Sequence, residues 1–181
     1  MERMDPLQLA EQLPRLAERS MRSAILAATA SRNRNAGSLT ARRIVGDALV
    51  RFERASLRVA SDGIRPALLF AERDRIVKEL RRFLESRLAG RLFRIPRRNL
   101  LAVGRAAAPF DALVRGRAGG TYGVVFCRLA SDGRRLEAMR SIRTSARRAE
   151  RAVRGVLVYD FVSGSVRTLR GAARAAGLSA A

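Results

Sequence analysis

The sequence predicts an α/β fold, with two N-terminal helices followed by a core in the order helix, three strands, helix, strand. Three observations predict it. Apolar residues recur at three- and four-residue spacing as far as Leu88. After Gly90 the period changes from helical to extended. Two glycine-containing turns, at Gly119-Gly120 and Ser163-Gly164, then fold the later chain into hairpins. At 181 residues and 48% apolar, the chain has material for one domain with a helical extension. Aromatics make up only 5% and Trp is absent, so the core draws mainly on Leu, Val, Ile and Ala. The expected division is a helical extension over residues 1–63, a core over 64–171 and a disordered tail over 172–181.

Asp5-Pro6 is a helix start, with Asp as cap and Pro at the first helical position. Leu7, Leu13, Leu16, Ile25 and Leu26 keep a helical spacing, and Pro14 is expected to break or kink the helix. Residues 31–37, SRNRNAG, form a polar loop. Ser38 caps a second helix whose apolar stripe runs through Val45, Leu49, Phe52 and Ser56 to Val59. After a turn at Ser61-Asp62-Gly63, Pro66 opens a third helix marked by Leu69, Ile76, Leu80, Phe83, Leu84 and Leu88, with Gly90 as its stop. Glu72, Glu79 and Glu85 on this helix are spaced to pair with Arg75, Arg82 and Arg81, each pair contributing about 0.2–0.5 kcal/mol.

Arg91 to Ile95 is expected as a short strand stopped by Pro96, with Arg97-Arg98 in a loop and Leu100 to Val103 continuing as strand. Pro109 to Leu129 then forms a hairpin. A two-residue turn at Gly119-Gly120 sets Leu113 opposite Phe126 and Asp111 opposite Arg128. Ser131-Asp132-Gly133 ends it, and Arg134 to Val153 is expected as a fourth helix. One side of that helix carries Leu136, Met139, Ile142 and Val153; Arg134, Arg135, Arg140, Arg147, Arg148, Arg151 and Arg154 crowd the other. So many like charges repel one another unless a polyanion lies against them. Gly155 to Val162 is apolar on both alternating faces apart from Asp160, the pattern of a central strand covered on both sides. A turn at Ser163-Gly164 returns the chain through Val166 and Leu169 and places Asp160 opposite Arg167.

Charge bounds the function. There are 37 basic residues against 16 acidic ones, a net charge of +21, and Lys78 is the only lysine. A field of that size draws polyanions, so nucleic acid is the leading partner, ahead of an anionic membrane surface or an acidic protein; a homo-oligomer is the remaining alternative. The absence of His excludes His-based triads and His-ligated zinc, and Cys127, standing alone, excludes an internal disulfide. Gly116 to Gly123 is glycine-rich but lacks the Gly-Lys-Ser/Thr ending of a phosphate-binding loop. No apolar run reaches the ~18–20 residues of a membrane span, and the N-terminus lacks the apolar stretch of a secretory signal, so a cytoplasmic protein is expected.

From Pro66 to Val162 the element order, with the hairpin where it lies, resembles the core of the PD-(D/E)XK nuclease superfamily, the restriction-endonuclease-like αβββαβ fold with a mixed sheet. In that family an Asp near the second strand and an acidic-x-Lys triplet on the third hold a divalent metal, Mg or Mn, that activates water. Asp111, after Pro109-Phe110, falls in the place of the Asp, and the triplet falls on Phe126-Cys127-Arg128, with Phe for the acid and Arg for the Lys. Glu79 or Glu85 matches the acidic residue that the family often carries on the preceding helix. The resemblance implies Asp111, Glu79 and Glu85 as metal ligands, and Asp111, Arg128 and Glu79 as catalytic groups, if cleavage is retained. Phe126 removes one of the two sheet carboxylates that Mg²⁺ needs, so the resemblance implies a nuclease-like fold with an incomplete metal site.

The leading expectation is therefore a nucleic-acid-binding protein that grips the backbone through Arg97, Arg98 and the arginines from Arg134 to Arg154. The second is an active nuclease with a rearranged site. The third is an assembly subunit of a nucleoprotein complex, docked through its N-terminal helices along an exposed stripe at Val45, Leu49 and Phe52.

Overall fold

The computed structural model describes residues 6–31, 41–59, 66–116, 119–128 and 153–170. The chain divides into two compact units, Met1–Ala89 and Gly90–Ala181. The first is helical. Helices α1 (Pro6–Ala30), α2 (Ala41–Val59) and α3 (Pro66–Glu85) pack pairwise on one another, so the helix that the sequence groups with the sheet shares its core with the two before it.

In α1 the buried side is Leu13, Ala17, Ser20, Met21, Ala24, Ile25, Ala28 and Thr29, an alternation of three and four residues made mostly of small side chains. The Ser20 and Thr29 hydroxyls donate to the carbonyls of Leu16 and Ile25 at 2.8 Å, so neither is buried unsatisfied. Pro14 does not end the helix, which continues to Ala30. In α2 the seam is Ile44, Ala48, Phe52 and Ser56: Phe52 and Ser56 are on the expected stripe, and Ile44 and Ala48 each precede an expected position, Val45 and Leu49, by one residue. Val45 and Leu49 are half-buried and Phe52 is fully buried, so no exposed stripe runs through those three. Ile44, Ala48, Phe52 and Ser56 follow one another at i, i+4, a single helical face. Ile76, Leu80 and Phe83 are buried on α3 as the spacing predicts. An ion pair, Arg73 to Glu53 at 2.9 Å, links α3 to α2, and Glu72 pairs with Arg75 at 3.4 Å.

The chain bends at Ser86 rather than at Gly90. The Ser86 hydroxyl accepts the Ala89 N–H at 3.2 Å and caps a new helix, α4 (Arg87–Arg94). The expected strand from Arg91 to Ile95 is therefore helix. Leu88, Ala89 and Leu92 lie on one helical face and are buried, and the division between the two units falls inside α4.

The second unit is built on a five-stranded sheet of β1 (Leu100–Val103), β2 (Ala112–Arg115), β3 (Thr121–Cys127), β4 (Val153–Asp160) and β5 (Val166–Arg170), in spatial order β1-β2-β3-β4-β5. All neighbours are antiparallel except β3 and β4, which run parallel. Residues opposite each other share a face. Val125, Cys127, Val156 and Val158 therefore lie on one face, and Val124, Phe126, Leu157 and Tyr159 on the other. Both sets are buried or half-buried, as expected for a central strand covered on both sides. Val153 opens β4 instead of closing a helix. The rest of the expected fourth helix, the turn at Ser131 to Gly133, the loop beyond Ser31, the turn at Ser61 to Gly63 and the C-terminal tail lie outside the described residues.

Both hairpins have wider loops than two residues. In the first, Gly116 N–H bonds Gly120 C=O at 2.8 Å and closes a three-residue loop, with Gly119 in the left-handed region at φ +79°. Leu113 consequently faces Gly123, not Phe126, and Asp111 does not lie across from Arg128. In the second, Asp160 N–H bonds Ser165 C=O, and the loop spans residues 161–164. Arg167 is then opposite Val158 rather than Asp160. The Asp160 carboxylate is the cause: it accepts the Val162 N–H at 3.0 Å and the Ser163 hydroxyl at 2.8 Å, which folds the loop around it.

Candidate functional site

The register assigns each loop of the second unit to an end of the sheet. Where β3 ends and β2 begins lie Gly104 and Arg105 after β1, Asp111, Arg128 and the loop from Asp160 to Ser165. This is the end at which the nuclease resemblance places its chemistry. At the opposite end lie the turn Arg97–Asn99, the loop from Arg115 to Gly120, and the start of β4 at Val153 and Arg154.

Asp111 is positioned by the irregular start of β2. Its N–H bonds Val124 C=O at 2.9 Å, and its C=O accepts the Gly104 N–H at 2.8 Å. Val124 is already the partner of Ala112, so two residues of one strand oppose one of the other, the geometry of a bulge. The next β3 donor facing this edge is the Phe126 N–H, and the Asp111 carboxylate accepts it through Oδ2 at 2.8 Å. A side-chain oxygen thus takes the place of a strand carbonyl at a buried position.

The triplet positions diverge in environment. Phe126 is 1% exposed, its ring stacked on Phe161 at a centroid distance of 6.1 Å, and Phe161 meets Tyr159 edge-on at 5.5 Å. Cys127 points to the opposite face, in a cluster with Ala107, Phe110, Leu113, Val156 and Val158, and its thiol lies 3.5 Å from the Tyr159 carbonyl. Arg128 follows directly after β3, half-buried, at the same end of the sheet as Asp111. Glu79 and Glu85 belong to α3 of the helical unit, where Glu79 is buried and Glu85 is exposed.

The donor set does not fit a Mg²⁺ or Mn²⁺ centre, which needs close to octahedral oxygen ligation. Asp111 and Asp160 are the described carboxylates of the sheet unit, and both accept backbone N–H groups. The position of the triplet acid is filled by a buried aromatic ring. Among the described residues no group of three or more His, Cys, Asp or Glu side chains could hold a metal ion.

The arginines lie differently. From Gly90 to Ala181 the sequence carries nineteen arginines against five acidic residues, so most of the +21 net charge belongs to the sheet unit. Arg97 and Arg98 are exposed in the turn before β1. Arg115, at the end of β2, and Arg154, near the start of β4, are exposed as well. The Arg154 side chain lies along the loop: a Cβ built on Gly120 would collide with its Cδ and fall 2.9 Å from its Nε. Arg115 escapes a sequence reading because its role depends on where the hairpin closes. Arg154, expected among the arginines of a fourth helix, instead stands on β4, because the arginine-rich run before it extends the helical pattern past the start of that strand. Arg134, Arg135, Arg140, Arg147, Arg148 and Arg151 lie outside the described residues.

No helix among the described residues is long and apolar enough to cross a membrane. No protein-family model matches the sequence, and neither a curated protein nor a solved structure matches it significantly.

Proposed function

We propose that this chain is a nucleic-acid-binding protein that contacts the phosphate backbone without cleaving it. The observation that carries the reading is the charge: +21 overall, concentrated in a sheet unit whose described arginines at positions 97, 98, 115 and 154 are exposed. Guanidinium groups on phosphates supply affinity without sequence information, so the protein binds different sequences with similar strength. The order β1, β2, β3, then β4 in parallel with β3, supports a nuclease-like origin for the sheet unit. The Asp111 contact to the Phe126 backbone and the buried Phe126 ring support binding over catalysis.

The test uses purified protein with labelled single- and double-stranded DNA and RNA, in Mg²⁺, Mn²⁺ or EDTA, beside Asp111→Asn. The expected result is a mobility shift of intact nucleic acid that is unchanged by EDTA and by the substitution. Metal-dependent products that vanish in Asp111→Asn make the protein a nuclease and overturn this reading.

A further inference from the structure

Among the described residues the two ends of the sheet differ in charge, and the difference is set by strand direction. At one end Asp111 and Asp160, both of the described carboxylates of the sheet unit, stand beside Arg105 and Arg128. The opposite end carries Arg97, Arg98, Arg115 and Arg154, with no described carboxylate of that unit among them. The resemblance to a nuclease draws attention to the first end; the electrostatics favour the second.

Geometry sharpens the contrast. Arg97 and Arg98 precede β1, Arg115 ends β2, and Arg154 is the second residue of β4, so the four guanidinium groups belong to strands spread across the sheet. From β1 to β4 there are three inter-strand gaps of about 4.8 Å, a span of roughly 14 Å. One duplex strand presents a phosphate about every 3.4 Å of helix axis, so that span matches on the order of four phosphates. The loop between β2 and β3 begins at Gly116 and ends in Gly119-Gly120. No side chain therefore rises at these positions to hold a backbone away. The Arg154 stem rests against Gly120 and so starts from a restricted set of conformers, and a guanidinium held in this way loses less freedom on meeting a phosphate.

We propose that the phosphate-contacting surface is the end of the sheet formed by Arg97, Arg98, Arg115 and Arg154, opposite the end that holds Asp111 and Arg128. The proposal rests on the nucleic-acid reading above. It locates the surface on the far side of the sheet from the position that a nuclease ancestry indicates. A duplex lying there contacts the β2–β3 loop and the entries to β1 and β4.

The experiment uses the full chain and a labelled DNA duplex, with binding measured over a range of salt concentrations. Two double variants, Arg97→Gln/Arg98→Gln and Arg115→Gln/Arg154→Gln, remove charge from the proposed surface. A third, Arg105→Gln/Arg167→Gln, removes the same charge from exposed positions elsewhere in the sheet unit. All six side chains are exposed, and circular dichroism checks that each variant keeps its fold. Removing one arginine–phosphate pairing lowers the slope of log K against log salt by about 0.9, so each surface variant is expected to reduce the slope by roughly two units. The control keeps its slope. If the surface variants retain the wild-type slope while the wild type binds, the assignment of this end is overturned and the nucleic-acid reading stands. If the control's slope falls as far as theirs, the assignment is likewise overturned. If the wild type does not bind the duplex at any salt concentration, the nucleic-acid reading itself falls, and the surface assignment with it.

Discussion

The Asp111 carboxylate accepts the Phe126 backbone N–H at 2.8 Å, joining the residue before β2 to the interior of β3. Both residues are buried. A donor left unsatisfied at such a position costs about 1–3 kcal/mol, whereas substituting one acceptor for another changes much less. Asp111→Ala is therefore expected to destabilise the protein by about 1–3 kcal/mol. Asp111→Asn, which keeps a carbonyl oxygen, is expected to fall well short of that. Urea unfolding of the two variants beside the wild type measures the difference. Equal losses would show that the hydrogen bond is not what Asp111 contributes.

Phe126 tests whether an acidic residue is tolerated at this position. Its ring is stacked on Phe161 and almost wholly enclosed. Phe126→Asp inserts a carboxylate into that apolar setting without a partner, at a penalty of several kcal/mol. The expected outcome is loss of the folded far-UV spectrum, not a gain of metal-dependent cleavage. Phe126→Leu keeps the site apolar and is expected to stay folded with a lower melting temperature. A folded Phe126→Asp protein that binds Mn²⁺ would contradict this account.

Gly123 is held to glycine by the ring above it. A Cβ at that position would sit 2.5 Å from Phe110 Cδ1 and 2.8 Å from Cε1, with the ring itself buried in the sheet's apolar cluster. Gly123→Ala is expected to destabilise by about 1–3 kcal/mol through overpacking. In a Phe110→Ala background the same substitution meets no ring, so its effect is expected to shrink toward zero. A double-mutant cycle measured by thermal unfolding reads that coupling directly.

Ser86 marks the break between α3 and α4. Its hydroxyl accepts the Ala89 N–H, one of the donors that the first turn of a helix leaves without an intrahelical partner. Ser86→Ala is expected to lower stability by about 1 kcal/mol, and Ser86→Asp by less, because the carboxylate retains the acceptor. Unfolding midpoints of the two variants decide between a cap and an incidental contact.

The long helices were legible from spacing, since Ile76, Leu80 and Phe83 recur on one face and are buried together. On α2, Phe52 and Ser56 were legible, whereas Ala48 was missed because a small side chain carries little hydrophobic signal. Arg91 to Ile95 misled because five residues are too few to fix a period, and the Ser86 cap decides for helix as far as Arg94. Register was the weakest point. Gly119-Gly120 allows either a two- or a three-residue loop, and the three-residue form moves every cross-strand partner of β2. The role of Asp111 follows only from that register, so no pattern in the sequence exposes its bond to Phe126. The arginine excess was plain at once, but the placement of Arg97, Arg98, Arg115 and Arg154 at one end of the sheet depends on strand direction.

The single parallel pairing in the sheet has a kinetic consequence. β1, β2 and β3 are successive antiparallel neighbours, and β4 and β5 are another such pair, so each group assembles through contacts close in sequence. The β3–β4 seam joins the two groups, pairing Thr121 with Val153 and Cys127 with Asp160. Closing that long interval reduces chain entropy before any of the seam's contacts are made, which slows assembly relative to the hairpins. The seam is thus the natural late event of refolding. Until it forms, the apolar flanks of β3 and β4, Val124, Phe126, Val156 and Val158 among them, stand open to water and to other chains. The high net positive charge then acts as a guard against clumping at that stage, because like-charged unfinished molecules repel.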